Sequence, residues 1–176
     1  AGTVPVRVAG VLLQGLVRSV FRENSVLIWT LPLGGIVLVL VDRFAPIHSE
    51  GLSRAGWRTA LGIGLFQCFA LIPGVSRSGS TLIGGRALGL DRGSAARFSF
   101  LLSAPVTAAA VVFELQHGEE LISSPIGIDA LVAAGLSSFL FGYLAIGGLL
   151  QIVRRFSFLG FAIYRILLAG GVALIL

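Results

Sequence analysis

An apolar segment in the middle of the chain is broken before it can cross a membrane. As a helix, residues 60–72 would span only about 20 Å, whereas the hydrocarbon core of a bilayer is about 30 Å thick. Pro73 removes a backbone donor and Gly74 allows a tight turn, so that a polar loop separates this segment from a second one at residues 82–90. Two short helices around a polar loop indicate a re-entrant hairpin at residues 59–90. Irregular backbone persists at membrane depth only where it is buried or lines a wet cavity, so we expect the loop to line a site.

The loop carries the side chains of an anion-binding site. Ser80 or Thr81 can cap the second short helix, whose free amides and positive end then favour a phosphate or carboxylate. Arg77 adds a permanent charge on a planar fork that matches phosphate oxygens, and Ser76 and Ser78 add hydroxyls. The alternative is an ordinary tight turn, in which Arg77 reaches the lipid headgroups and the serines serve as caps.

Composition places the whole chain in a membrane. Of its 176 residues, 56% are hydrophobic and 12% charged, with mean hydropathy +0.97, against about 25% charged residues in a soluble domain. All 13 basic residues are arginine, and no basic run interleaved with aromatics occurs, so nucleic-acid binding is unsupported. Cys68 is the single cysteine, and His48 and His117 lie in separate loops, so no zinc cluster is indicated.

Hydrophobic segments predict an all-α integral membrane protein with about five transmembrane helices plus the hairpin. The alternating strand pattern of a membrane barrel is absent. We expect a single membrane domain over residues 1–176, with short surface helices in the polar connection at 42–58 and with Ser94 as the cap of the span after the hairpin. The predicted spans are residues 4–20, 25–41, 94–114, 126–153 and 156–176.

Arginine is distributed unequally between the two ends of these spans. A re-entrant hairpin returns to its own side, so one end collects six arginines, and this Arg-rich face is expected to be cytoplasmic. The opposite end holds Arg18, Arg22 and three glutamates, Glu23, Glu119 and Glu120. The Arg-rich face consists of Arg43, Arg54, Arg58, Arg92, Arg154 and Arg155.

Several residues inside the apolar segments have two readings each. Arg165, near the middle of the last span, is a functional candidate or a structural partner of a carboxylate or of backbone carbonyls. Arg86 and Arg97 extend the positive field around the site or reach the headgroups. Gly85 and Gly89 form a small-residue face that allows close helix approach.

The loop and three neighbouring stretches resemble a known family. Residues 73–81 read Pro-Gly-Val-Ser-Arg-Ser-Gly-Ser-Thr, similar to the second signature of the undecaprenyl-diphosphate phosphatases, the bacitracin-resistance membrane enzymes. The stretches at 66–71, 97–102 and 161–165 fit the same family, and the resemblance covers nearly the whole chain. The matched signature residues are Pro73, Gly74, Ser76, Arg77, Ser78, Gly79 and Thr81.

The resemblance implies a multi-pass enzyme of the bacterial plasma membrane. It would hydrolyse undecaprenyl diphosphate to undecaprenyl phosphate plus phosphate, recycling the lipid carrier of cell-wall synthesis, and a homodimer is compatible with it. The implied catalytic residues are Arg77, which would offset charge at the leaving phosphate, and Ser76, as a hydrogen-bond donor or a nucleophile. Gln67 would orient the loop or be a buried amide. The implied substrate-binding residues are Ser78, Thr81, Gly74, Gly79 and Gln67.

The acidic part of such a site is not found in this sequence. The family has two inverted halves, and its upstream half carries a glutamate signature with which a metal would be associated. We therefore expect the chain to be a fragment lacking the N-terminal part, with no metal ligands of its own. By itself it is expected to hold a diphosphate but to hydrolyse it negligibly. A divalent cation, magnesium or calcium, would then be bound by the upstream part.

Two other classes of function fit the same broken-helix anion site. Secondary transporters also bind carboxylate or phosphate where broken helices meet at the midplane. A non-catalytic protein that binds polyprenyl phosphate would likewise need the loop but not the acidic residues.

Overall fold

The computed structural model describes residues 2–12, 24–47, 51–52, 55–115 and 127–175. These residues form seven α-helices and one 3₁₀ helix and contain no β-strand, which confirms the all-α class. The helices are α1 (Val4–Leu12), α2 (Asn24–Phe44), α3 (Trp57–Gln67), α4 (Arg77–Ala87), α5 (Arg92–Leu115), α6 (Gly127–Arg155) and α7 (Leu159–Ile175), with the 3₁₀ helix at Cys68–Leu71.

Three of these helices are long and apolar enough to cross a membrane. They contain the spans Val26–Phe44, Arg92–Phe113 and Gly127–Arg155, while the apolar helix Leu159–Leu174 is shorter. The first predicted span, residues 4–20, is described only as far as Leu12. The chain is thus a membrane protein, with three clear spans in the described residues where the sequence predicted five in all.

The predicted hairpin is present as α3, the 3₁₀ helix, a loop at residues 72–76 and α4. Its two ends lie together, because the Gly51 amide, upstream of α3, donates to the Asp91 carboxylate beyond α4 at 3.2 Å. A Cβ placed on Gly62 of α3 would come 2.7 Å from the Leu88 side chain, at the end of α4. The hairpin therefore returns to the side from which it starts.

The end of α4 corrects the predicted glycine face. Gly85 does approach α5 closely, since a Cβ there would lie 2.8 Å from the Ala95 Cβ. Gly89 lies beyond the helix with φ of +87°. Its amide bonds to the Arg86 carbonyl and the Leu90 amide bonds to the Gly85 carbonyl, a Schellman turn that requires glycine.

A buried carboxylate, Asp42, ties four helix ends together. The sequence placed Asp42 in a surface connection, but α2 continues past it and its exposed fraction is 7%. Its Oδ1 accepts from Arg86 Nε at 3.3 Å and from Arg92 Nε at 2.7 Å, and its Oδ2 from the Phe158 amide at 3.4 Å. Arg86 is itself 3% exposed and also donates to the carbonyl of Leu90. Arg86 is thus a buried partner of Asp42 at the Arg-rich end of the helices, away from the loop. A buried charge persists when it is paired.

The start of α5 is capped by Asp91, not by Ser94 as predicted. Asp91 Oδ1 accepts from the Ser94 amide at 2.9 Å, and Oδ2 accepts from the Ser94 hydroxyl. Burial raises the pKa of the Asp91 carboxyl, but hydrogen bonds from Ser94 and from the amides of Gly51 and Gly93 outweigh it. The pKa therefore lies below its ordinary value of 3.8.

Replacing Asp91 with alanine is expected to lower the free energy of unfolding by about 0.5–2 kcal/mol, as for other lost helix caps. Because the folded-state pKa is lowered, this contribution is present above the ordinary pKa and is lost as the pH falls through the lowered value. Thermal unfolding of the detergent-solubilised protein at pH 7 and in a series toward pH 3 measures both effects. Asp129→Ala, in the exposed first turn of α6, is the matched control. Equal melting temperatures for the two variants at pH 7 would contradict the capping role.

Candidate functional site

The loop ends at Ser76, which caps α4. Ser76 Oγ accepts from the Gly79 amide at 3.3 Å, and the Ser76 carbonyl accepts from the Ser80 amide and hydroxyl, both at 3.0 Å. The sequence predicted Ser80 or Thr81 as the cap, and this prediction is wrong. Both residues lie inside the helix and are 2% exposed. Ser76 is the one non-glycine residue with positive φ, +70°, among the described residues. Such a conformation persists only where the surroundings enforce it, as these three bonds do.

The N-terminus of α4 presents unpaired backbone donors. Within the described part of the chain, the amides of Arg77 and Ser78 make no hydrogen bond, as expected for a first helical turn. The positive end of the helix dipole lies at the same place. The Ser76 hydroxyl oxygen accepts a hydrogen bond from the Gly79 amide, so the hydroxyl proton remains available for donation to a ligand. These groups are donors of the kind that bind an anion at a helix N-terminus.

The loop is held in place through its carbonyl groups. The Thr30 hydroxyl of α2 donates to the Pro73 carbonyl at 2.7 Å. Arg165 of α7 donates to the carbonyls of Gly74 and Val75, at 2.6 Å and 3.1 Å. Gly74 has φ of +83°, and a Cβ on it would meet the Thr30 hydroxyl, so the position admits no side chain. Thr30 of α2 and Arg165 of α7 thus hold the carbonyls of Pro73, Gly74 and Val75, which fixes the backbone of the loop.

Arg165 connects the loop to α2 through hydrogen bonds to backbone carbonyls of both. In addition to the two loop carbonyls, it donates from Nε to the Leu31 carbonyl at 2.9 Å and from a terminal nitrogen to the Thr30 carbonyl at 3.3 Å. All three guanidinium nitrogens are engaged, and the residue is 8% exposed. Of the readings left open by the sequence, the structure selects backbone carbonyls as its partners.

The loop lies deep along the spanning helices. Its partner Thr30 precedes Asp42, at the Arg-rich end of α2, by twelve residues. Twelve residues of α-helix correspond to about 18 Å. At its other end the span begins at Val26, four residues or about 6 Å before Thr30. The loop therefore lies at a depth within the hydrocarbon core, where a polar loop must line a cavity or be buried.

A cavity of about 340 Å³ opens beside this loop. Its walls are mostly apolar side chains of α2, α5, α6 and α7, and its polar groups gather at the α4 end. The polar lining residues are Ser76, Ser78, Ser99, Tyr164 and Arg165; the apolar ones include Leu31, Leu82, Phe100, Phe161 and Leu168. A cavity with a polar end and apolar walls fits an amphiphile better than a free ion.

The structure brings some of the predicted site residues to the cavity and leaves others beside it. Ser76, Ser78 and Gly79 line it. Arg77, the first residue of α4, is half-buried and, within the described residues, makes no hydrogen bond or ion pair. Gly74 shapes the loop from behind, and Gln67 is a buried side chain near the end of α3.

Thr81 reaches the cavity only through a second hydroxyl. Its Oγ1 lies 3.1 Å and 3.0 Å from the Arg77 and Ser78 carbonyls, and 2.7 Å from Ser99 Oγ. Ser99 was not among the residues predicted from the sequence, although it lies within the family-like stretch 97–102. A serine in an apolar helix is too common to indicate a site from the sequence alone. The contact of Thr81 with a phosphate stays a prediction. Of the two hydroxyl-bearing residues, Ser99 is the one that lines the cavity.

Comparison with known proteins gives a consistent result. The family model described as bacitracin resistance protein BacA matches residues 1–171. The undecaprenyl-diphosphatase of Corynebacterium striatum is 42% identical over 168 residues, covering 94% of this chain and 59% of that protein. That of Myxococcus xanthus is 42% identical over 167 residues, covering 95% and 56%, and that of Geobacter sulfurreducens 43% over 180 residues, covering 99% and 64%. The chain thus spans less than two thirds of the length of each of these relatives.

Proposed function

The chain belongs to the bacitracin resistance protein BacA family, and from this premise we propose that its loop site takes part in hydrolysing undecaprenyl diphosphate. The products are undecaprenyl phosphate, the lipid carrier of cell-wall synthesis, and inorganic phosphate. Such recycling accounts for resistance to bacitracin and belongs to the bacterial plasma membrane, with the Arg-rich face toward the cytoplasm. The relatives named as undecaprenyl-diphosphatases support this activity.

One observation carries the proposal: the free donors of the α4 N-terminus open into a cavity with apolar walls. A polyprenyl diphosphate has the matching shape, with a dianionic or trianionic head and an apolar tail. The head would lie against the amides of Arg77 and Ser78 and the Ser76 hydroxyl. The tail would lie along α5, α6 and α7, whose side chains form the apolar walls.

The reaction breaks the bond between the terminal phosphorus and the bridging oxygen. The bridging oxygen leaves with undecaprenyl phosphate, and a water oxygen becomes the fourth oxygen of the released phosphate. Charge builds on the terminal phosphoryl and on the leaving oxygen, where Arg77 and the amides of α4 would stabilise it. Ser76 would either donate its proton to a phosphate oxygen or attack phosphorus first. In the second case its proton passes to the leaving bridging oxygen, and water then hydrolyses the phosphoserine, which restores the hydroxyl and releases phosphate.

The described groups at the loop do not form a site for a divalent cation. Magnesium and calcium are bound mainly by carboxylate, carbonyl and water oxygens. No group of three or more His, Cys, Asp or Glu side chains occurs within the described ranges, and the loop offers hydroxyls and guanidiniums. No step above is therefore routed through a metal, and a cation bound by ligands outside these ranges stays a prediction from the family resemblance. Assembly as a homodimer likewise stays a prediction.

Phosphate release from undecaprenyl diphosphate by the protein in liposomes tests the proposal. We expect turnover by the full-length protein, and we expect Ser76→Ala in it to lower turnover by about 100-fold, the usual effect of removing one donor at a developing charge. Ser137→Ala is the matched control, because the Ser137 hydroxyl donates only to its own helix, α6. Flux of the substrate without hydrolysis would favour a transporter instead, and binding without either would favour a non-catalytic lipid-binding protein.

A further inference from the structure

A second group of cavities lies at the Arg-rich end of the helices, remote from the loop. Two adjoining cavities, of about 400 Å³ and 420 Å³, share Asp91, Gly93 and Arg154 in their walls. The first is completed by the ends of α2 and α4, and the second by Gly51 and α5. The charged lining residues of the pair are Asp42, Arg43, Arg86, Asp91, Arg92, Arg97 and Arg154.

The two carboxylates in these walls are already engaged by the protein. Asp42 accepts from Arg86, Arg92 and the Phe158 amide, and Asp91 accepts from the Gly51 amide and from Ser94. Neither carboxylate is therefore free to neutralise the remaining arginines. Among the described lining residues, five guanidinium groups against two carboxylates leave a surplus of three positive charges.

The remaining guanidiniums have no partners within the described residues. Arg43, Arg97 and Arg154 are exposed and make no hydrogen bond or ion pair there. Arg92 uses only its Nε, toward Asp42, which leaves its terminal nitrogens available in a side chain that is 35% exposed. Guanidinium groups left unpaired around a concave surface are donors of the kind that bind phosphate oxygens.

Large apolar side chains surround this positive surface. Phe44, Ile47 and Phe156 are 72%, 58% and 63% exposed, and Ile47 also lines the first cavity. Phe44 and Ile47 lie at and just beyond the end of α2, and Phe156 follows the end of α6. All three are therefore at the Arg-rich end, which is the level of the lipid headgroups. A free phosphate ion makes no favourable contact with these apolar side chains, whereas a phospholipid packs its acyl chains against them.

We propose that these two cavities form a headgroup site for an anionic phospholipid, with Arg43, Arg92, Arg97 and Arg154 around its phosphodiester. Basic pockets between spanning helices on the cytoplasmic side are the usual form of such sites. The site is separate from the loop at Ser76 and does not depend on the reaction proposed there. A lipid bound here would bridge the ends of α2, α5 and α6.

Native mass spectrometry of the whole detergent-solubilised protein, titrated with phosphatidylglycerol, tests the site. We expect one saturable phosphatidylglycerol site and at least tenfold weaker binding of phosphatidylcholine with the same acyl chains. R97Q/R154Q should weaken phosphatidylglycerol binding by about tenfold or more, since each arginine near an anionic lipid contributes appreciably. The matched control is R58Q/R155Q, which removes the same charge from exposed arginines that do not line the cavities.

Equal binding of the two lipids, or equal losses in the two double variants, would overturn the proposal. Displacement of phosphatidylglycerol by millimolar inorganic phosphate would show instead that the site takes free phosphate. If R97Q/R154Q fails to fold, as judged from its melting temperature, R43Q on the opposite wall takes its place with the same expected direction. Unchanged phosphatidylglycerol affinity in R43Q would then count against the site.

Discussion

Replacing Arg77 with alanine is expected to lower the rate of phosphate release from undecaprenyl diphosphate by at least about a thousandfold. An arginine that stabilises the charge of a transferring phosphoryl group contributes 10³–10⁵ in comparable enzymes. The melting temperature should not change, because the Arg77 side chain is half-buried and makes no described hydrogen bond or ion pair. Turnover and thermal unfolding of the same preparation measure the two quantities.

Arg77→Lys tests whether the positive charge at this position is sufficient or the planar guanidinium is needed. Lysine keeps the charge but lacks the planar fork that contacts two phosphate oxygens, so we expect it to restore little of the lost rate. Arg58→Ala is the matched control, since Arg58 also lies in the first turn of a hairpin helix and is exposed. Near-normal turnover by Arg77→Ala would mean that the α4 N-terminus is not where the diphosphate binds.

Arg165→Met should damage both folding and turnover, in contrast to Arg77→Ala. It removes the donors to the Gly74 and Val75 carbonyls, which are loop groups with no helix partner. A fully buried acceptor left without a donor costs about 1–3 kcal/mol. Because both of these bonds are only partly buried, we expect the free energy of unfolding to fall by about 2 kcal/mol, the lower end for two acceptors. Methionine retains much of the apolar stem, which limits the loss of packing. Once released, the loop no longer holds Ser76 in its strained conformation, and phosphate release falls as well.

Melting curves and turnover of Arg165→Met, compared with Arg155→Met, test this role. Arg155 is exposed at the end of α6 and has no described partner, so its replacement removes a charge without opening a hydrogen-bond network. A melting temperature for Arg165→Met equal to that of Arg155→Met would show that the loop does not depend on these hydrogen bonds. A lower melting temperature with unchanged turnover would show that Arg165 supports the fold but does not position Ser76.

Local sequence was sufficient wherever the signal was carried by neighbouring residues. The Pro73-Gly74 break predicted the hairpin, because a missing amide and a positive φ end a helix in any surroundings. Apolar length predicted the spans from α2 onward to within a few residues at most ends. The signature around Arg77 predicted the family, which the comparisons confirmed.

Local sequence was insufficient wherever several residues of one kind compete for a role. Four hydroxyls between Ser76 and Thr81 could have capped α4, and the wrong pair was chosen. The cap is Ser76 because Thr30 and Arg165 hold the preceding carbonyls, which determines where the loop ends and the helix begins. The start of α5 shows the same effect. Asp91 is the cap there, not Ser94, because its carboxylate accepts from the Gly51 amide and from the Ser94 amide.

By itself, the sequence determined the class of the protein, the position of its broken helix and the chemistry of its loop, because these depend on composition and on residues adjacent in the chain. Only the tertiary structure decided the roles of the buried charges. Asp42 meets Arg86 across 44 positions, and Arg165 meets Gly74 across 91. A buried charge must find its partner wherever the fold places one, and that partner leaves no mark in the local sequence. Arg77 and Arg165 are both arginines in an apolar chain. Within the described residues the Arg77 side chain has no hydrogen-bond or ion-pair partner, whereas Arg165 donates to four backbone carbonyls.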